Sequence, residues 1–154
     1  GHCITQNVDN LHQKSGLDDA SVTELHGNAT FAVCLDCKKR FELSFIHEEF
    51  KSTNRPPKCD SCNGWIKTAT ISFGQPMPED KMIIAHEETL KADVFIVAGS
   101  SLSVFPAANF PLIAKENDAK LLIVNNEETQ FDHFADVLIH DDISKTFSNL
   151  KITH

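Results

Sequence analysis

Four of the five cysteines fall in two identical steps, Cys34-x2-Cys37 and Cys59-x2-Cys62, with 21 residues between the pairs. A CxxC turn lets two thiolates converge on one tetrahedral ion, and two such turns complete a four-sulfur site. That site has no open position, so the zinc it implies, one per chain, is structural rather than catalytic. Two disulfides, or a redox-active CxxC, would use the same residues, but the paired spacing favours zinc. The stretches "CLDCKKR" and "PPKCDSCNGW" read as turn-rich knuckles, and so short a loop-rich insert has too little core to hold itself without a staple. Six basic residues (Lys38, Lys39, Arg40, Lys51, Arg55, Lys58) face five acidic ones (Asp36, Glu42, Glu48, Glu49, Asp60) between Cys34 and Cys62. A ribbon that grips nucleic acid should be lopsided in charge, and this one is balanced. Cys3 stands in an apolar start and reads as a small buried residue.

A second chemical candidate is His26 in "TELHGN" (23–28), eight residues before the first knuckle. Histidine is the side chain whose ordinary titration range spans neutral pH, which suits a general base. A buried structural histidine fits the same six residues. A third candidate is "GSSLSVFPAA" (99–108). A Gly-Ser-Ser turn between a strand and a helix can cradle phosphates with backbone N–H groups and hydroxyls. It lacks the GxGxxG spacing, and an ordinary βα turn fits it equally well.

The elements that would position these groups are legible from pattern. "CITQNV" (3–8) reads as a strand with a polar end, "FAVC" leads into the first knuckle, and "FELSFIHEEFKS" permits a short helix inside the insert. "WIKTATISFG" is rich in strand formers. "PEDKMIIAHEETLKA" (78–92) has Pro at its start and helical apolar spacing. "DVFIVAG" (93–99), "KLLIVNN" (120–126) and "ADVLIH" (135–140) are apolar runs of the kind buried on both faces of a sheet. "PAANFPLIAKEND" (106–118) reads as a helix, provided Pro111 lies in its first turns. "DDISKTFSNLK" (141–151) is an amphipathic helix with an aspartate near its N-cap. Strands alternating with helices imply an α/β fold with a parallel sheet. In such sheets ligands lie beyond the C-terminal strand ends, which picks out Gln6, Asn7, Asp9, Gly99, Ser100, Ser101, Asn125 and Asn126.

Composition sets the outer limits. The 154 residues are 41% hydrophobic and 23% charged, values typical of a globular chain. Net charge is −8, so neither nucleic acid nor an anionic membrane is an expected partner. No apolar run approaches the ~20 residues that span a bilayer, and nothing at the start has the pattern of a signal peptide. A soluble, cytoplasmic protein is the expectation.

Taken in order, the motifs "TQNVDNLH" (5–12), "ELHGN" (24–28), the paired knuckles, "SFGQPMP" (72–78), "GSSLSVFPAA" (99–108) and "VNNEET" (124–129) resemble the sirtuins, the NAD-dependent protein-lysine deacylases. The resemblance runs from Cys3 to Leu150, and a zinc ribbon set just after "LHGN" within an α/β sheet is a rare layout. It implies an α/β fold, an incomplete doubly wound (Rossmann-like) parallel sheet with an inserted four-cysteine zinc ribbon. Residues 1–30 and 70–154 would form the partial NAD-binding domain, and 31–69 the zinc-binding domain. It implies NAD as cosubstrate and an acyl-lysine protein or peptide as substrate, with the acyl group passing to ADP-ribose and nicotinamide released. His26 takes the place of the general base. Asn7 and Gln6 match residues that hold the nicotinamide ribose and its attacking water, and Asp9 matches the one that grips the carboxamide. Gly99, Ser100 and Ser101 match the loop that meets the dinucleotide, and Asn125 matches an adenosine-ribose contact. The substrate backbone would be clamped as an added strand between Ser72-Phe73-Gly74 and Ser103-Val104-Phe105. Phe73 would line the tunnel of a neutral acyl-lysine, where a charged lysine is disfavoured.

The sequence also departs from that family. Asn10 stands where many sirtuins have glycine, and Gln75 where many have glutamate. The first Rossmann strand, the GAGxS-type phosphate loop and the PDFR-type cofactor loop have no counterpart here, so the chain matches the C-terminal part of a sirtuin. It is therefore expected to be inactive or weak alone, and an exposed sheet edge invites a homo-oligomer. A zinc-stapled binding module without chemistry, or a protein ADP-ribosyltransferase, are the competing functions.

Overall fold

A computed structural model describes residues 1–72 and 74–148. They gather into two compact units, the first ending at Met82 and the second beginning at Ile83.

In the first unit β1 (Cys3–Thr5) pairs in parallel with β2 (Val22–Glu24). The polar end of "CITQNV" does not stay in the strand. The Thr5 hydroxyl accepts the Asn7 N–H at 3.1 Å, and the Asp9 carboxylate takes the Leu11 N–H at 3.0 Å. Such local side-chain bonds offer the backbone an alternative to the ladder, and the chain turns into α1 (Leu11–Lys14). Next come β3 (Gly27–Cys34), β4 (Arg40–Glu42) and β5 (Ile66–Thr70), an antiparallel sheet in the order β4-β3-β5. Helix α2 (Leu43–Thr53) follows β4 and stops where Asn54 adopts a left-handed φ of 51° and its N–H caps the Phe50 carbonyl at 2.7 Å. Pro56 and Pro57 then prevent any continuation. The core of this ribbon is small: Ala32, Cys34, Phe41, Ile46, Cys59 and Ile66.

Helix α3 (Glu79–Leu90) opens with Glu79 and Asp80 at its positive end and leads to β6 (Val94–Ala98). In the second unit β6, β7 (Lys120–Val124) and β8 (Val137–Ile139) form a parallel sheet in that order. The expected parallel architecture is thus present as two ladders, β1-β2 and β6-β7-β8. β7 is the central strand of its ladder, and Leu121, Ile123 and Val124 are fully buried. Val94 and Ile96 on β6, and Val137 and Leu138 on β8, remain exposed. Pro111 lies in the first turn of α4 (Phe110–Glu116), where its missing N–H is harmless. Asp142 caps α5 (Ile143–Ser148) by accepting the Lys145 N–H at 2.9 Å, as the sequence indicates. Among the described residues, no helix is long and apolar enough to cross a membrane.

One ion pair ties three elements of the second unit. Asp136, at the entry to β8, accepts the Lys115 ammonium of α4 at 2.5 Å and the Leu121 N–H of β7 at 2.8 Å. The Lys115 ammonium, aided by the Leu121 amide, holds the Asp136 carboxyl at about 2. The folded value lies below the unfolded one, so this stabilisation is complete above the unfolded range near pH ~4 and is lost as pH falls through about 2. Asp136→Asn should lower the melting temperature at neutral pH and flatten the acid loss of stability in that window. An unchanged acid profile would remove Asp136 from this role.

Candidate functional site

The four knuckle sulfurs converge. Cys34 Sγ lies 3.4 Å from Cys62 Sγ, Cys37 Sγ lies 3.6 Å from Cys59 Sγ, and all four atoms fall within 4.8 Å of one another. With Zn–S near 2.3 Å, a tetrahedral ion sets its ligand sulfurs about 3.8 Å apart, so this donor set fits zinc. None of the four is in a disulfide. Their acidities show why they call for a cation. The Cys37 amide, with help from the Asp36 amide, draws the Cys34 thiol down to about 7. The Gly64 amide also favours ionisation of Cys62, yet the neighbouring sulfurs of Cys34, Cys37 and Cys59 push it up to about 12. One thiolate forms easily and the last does not, unless a metal neutralises them together.

His26 sits between two fixed points. Leu25 before it is buried and donates its N–H to the Thr5 carbonyl at 2.9 Å. Gly27 after it has φ +75°, and a Cβ there would meet the Ala69 carbonyl oxygen of β5 at 2.1 Å. Only glycine permits that turn and that approach. Asn28 is buried with its amide fully used: Nδ2 donates to Glu24 Oε1 at 2.8 Å and Asn10 Oδ1 at 3.2 Å, while Oδ1 accepts the Thr30 N–H and hydroxyl. The histidine's Nδ1 lies 3.1 Å from the Gln6 carbonyl oxygen. A carbonyl only accepts, so Nδ1 carries the proton and Nε2 keeps the basic lone pair. The Ile71 N–H donates to the His26 carbonyl at 2.8 Å, which brings the start of "SFGQ" to the same turn.

Gln6, Asn7 and Asp9 occupy the loop after β1, with Asn7 and Asp9 exposed. The Ala29 N–H donates to the Val8 carbonyl at 2.7 Å, which fixes that loop against the start of β3. Ser72 and Gly74 flank a turn closed by the Gln75 N–H on the Ser72 carbonyl, with the Gln75 side-chain oxygen accepting the Ser72 N–H at 2.7 Å. Phe73 lies outside the described residues.

The second unit gathers the remaining candidates at the C-terminal ends of its strands. Gly99 follows β6, and its N–H donates to the Val124 carbonyl at 2.9 Å, so it lies beside the start of Asn125 after β7. Its φ is +64°, and a Cβ at this position would come within 2.5 Å of the Ile143 δ-methyl, which together favour glycine. The Ser100 hydroxyl accepts the Leu102 N–H at 3.3 Å, and the hydroxyls of Ser101 and Ser103 are 2.7 Å apart. Ser103, Val104 and Phe105 are exposed in the following segment.

The family model that matches residues 1–106 is that of the Sir2 family. The chain belongs to the Sir2 family. It is 52% identical over 143 residues to an NAD-dependent protein deacetylase of Rhodopseudomonas palustris, covering 93% of this chain and 56% of the relative. It is 42% identical over 137 residues to an NAD-dependent protein deacylase of Aquifex aeolicus, covering 88% of this chain and 54% of the relative. The solved structure "Sir2-p53 peptide-NAD+" is similar with a TM-score of 0.88 at 38% identity, covering 95% of this chain and 60% of that one. "Sir2 bound to acetylated peptide" is similar with a TM-score of 0.89 at 37% identity, covering 95% and 60%. The chain therefore spans a little over half the length of the curated Sir2 relatives it matches.

Sequence reasoning overlooks several groups that shape this candidate site. Thr5 is buried, and its hydroxyl meets both the Asn7 N–H and His12 Nε2, the latter at 3.1 Å. Glu24 and Asn28 stand inside the quoted "ELHGN" without an assigned task. The available signal is a polar amide directly after a glycine at a strand start, a residue type that is rarely buried unless its amide is satisfied.

Proposed function

We propose that this chain carries the general-base half of an NAD-dependent protein-lysine deacylase. The observation that carries the reading is the bond from His26 Nδ1 to the Gln6 carbonyl, which leaves Nε2 as the basic nitrogen in a partly exposed position. NAD supplies the ADP-ribosyl acceptor and nicotinamide as the leaving group. The protein's own residues bind, orient and move a proton. Gln6 and Asn7 hold the nicotinamide ribose and its water, and Asp9 the carboxamide. His26 Nε2 takes the ribose hydroxyl proton. In the second unit Gly99, Ser100 and Ser101 meet the dinucleotide with N–H and hydroxyl donors, and Asn125 meets the adenosine ribose. The acyl-lysine peptide is held along Ser72-Phe73-Gly74 and Ser103-Val104-Phe105. Cys34, Cys37, Cys59 and Cys62 hold the structural zinc, which keeps the ribbon folded and takes no part in the reaction. Residues 1–30 with those from 70 onward form the NAD-facing part, and 31–69 the zinc part. Reduced thiols at the zinc site agree with a cytoplasmic setting.

The test is nicotinamide release from NAD, measured with and without an acetyl-lysine peptide. Two proteins are compared: this chain, and this chain joined to the part of the Rhodopseudomonas palustris relative that it does not match. Release in the joined form should require both reagents, and the 154-residue chain should be far slower. A joined form that binds NAD but releases nothing, or releases without peptide, would sink the proposal.

A further inference from the structure

Residues 125–132 leave β7 at Asn125 and return to the sheet at Phe131, which is buried among Val97, Leu102, Ala108, Leu121 and Ile123. One imidazole holds both ends of that loop. His140, the residue after β8, sets Nδ1 3.2 Å from the Asn125 carbonyl oxygen and Nε2 3.1 Å from Asp132 Oδ2. Both oxygens only accept, so the two bonds exist together only when each ring nitrogen carries hydrogen. Asp132 Oδ1 in turn accepts the Thr129 hydroxyl at 2.5 Å. Burial alone would raise the Asp132 carboxyl, but the Thr129 hydroxyl and amide and the His140 ring hold it below the usual carboxylate range. On the other side the Asn125 N–H donates to the Ile139 carbonyl at 3.1 Å. Both backbone groups of Asn125 are thereby fixed by the end of β8. Its side-chain Nδ2 donates to the Glu127 carbonyl at 2.8 Å, within the braced loop.

We propose that His140 is a positioning residue: it braces the loop of residues 125–132 from both ends and so presents Asn125 to the adenosine ribose of the dinucleotide. The brace stands on geometry alone, and its link to the ribose rests on the deacylase reading above. In this role His140 need touch neither cosubstrate nor substrate. It acts through the Asn125 backbone.

Amide hydrogen exchange of the 154-residue chain and ADP-ribose titration of the joined form test the two parts separately. In His140→Ala, and likewise in Asp132→Asn, amides of residues 126–130 should exchange about tenfold faster while β7 amides are unchanged. ADP-ribose affinity should fall about tenfold in both. His140→Arg, which offers donors to both oxygens, should recover most of the affinity, a rescue that loss of general stability does not predict. Unchanged loop exchange in His140→Ala overturns the brace. Faster exchange with unaltered ADP-ribose affinity overturns the positioning role and leaves a purely structural clip. A joined form with wild-type His140 that takes up no ADP-ribose removes the cofactor reading and the positioning role with it, while the exchange data still decide the brace.

Discussion

Removing zinc, or replacing Cys59 by serine, should unfold the ribbon of residues 27–70 while the β6-β7-β8 unit stays folded. The ribbon's core holds six buried residues, and two of them, Cys34 and Cys59, belong to the four-sulfur cluster. Its strand β4 is three residues long, and α2 buries only Ile46. So little apolar area cannot offset the entropy of ordering such a segment. Structural zinc contributes on the order of 10–16 kcal/mol of apparent binding energy in small zinc peptides, and that energy is folding energy. Without the ion the four thiols turn from ligands into competitors, as the Cys62 thiol at about 12 shows. The chain has one tryptophan, and it reports on this segment. Trp65 bridges to Lys58 across the second knuckle, with the Lys58 ammonium 3.1 Å from the ring centroid. Chelation should release one zinc per chain and shift Trp65 emission toward that of a fully hydrated indole, and Cys59→Ser should do the same without chelator. A metal-free chain with unaltered emission and melting would mean that the ribbon holds itself.

The convergence of the four cysteines was legible because it is written in spacing: two CxxC turns need no knowledge of what lies between them. Most helices and strands were legible for a similar reason. Pro78 before α3, Asp142 before α5 and the apolar runs of β6 and β7 each act within a few residues of themselves. The end of β1 was not. "CITQNV" has the composition of a longer strand, and only the Thr5 hydroxyl capturing the Asn7 N–H turns the chain after three residues. That choice depends on a rotamer, not on pattern.

The candidate site divides in the same way. His26 could be singled out as an imidazole beside a glycine, but not which nitrogen is basic. That follows from the Gln6 carbonyl, twenty residues earlier, reaching Nδ1. The necessity of Gly27 comes from Ala69 on a strand that lies beyond the whole zinc insert, which no local pattern records. His140 gave no signal at all. An exposed histidine at a strand end acquires meaning only when Asn125 and Asp132 arrive at its two nitrogens. What a sequence hides here is long-range pairing of single polar atoms, because periodicity records faces and not partners.

Replacing His26 by alanine in the joined form should cut turnover by about 10²–10⁴-fold, the usual contribution of a general base, with KM for NAD and for peptide changed little. The substitution leaves most of the surrounding structure intact. Leu25 and Asn28 fix the chain on either side through the Thr5 carbonyl, Glu24, Asn10 and Thr30, and none of those bonds involves the imidazole. His26 is only partly buried, so its removal opens no large cavity, and melting should shift little. Among the described residues the one side-chain bond lost is from Nδ1 to the Gln6 carbonyl, whose purpose in this reading is to direct the proton-accepting Nε2. Binding is therefore separable from proton transfer. Imidazole added to the solution should restore part of the lost rate in His26→Ala, since the vacated space can admit a free base. Full turnover in the variant would place the base elsewhere. A rate lost together with NAD binding would instead make His26 a support for the Gln6–Asp9 loop, and the proton would need another acceptor.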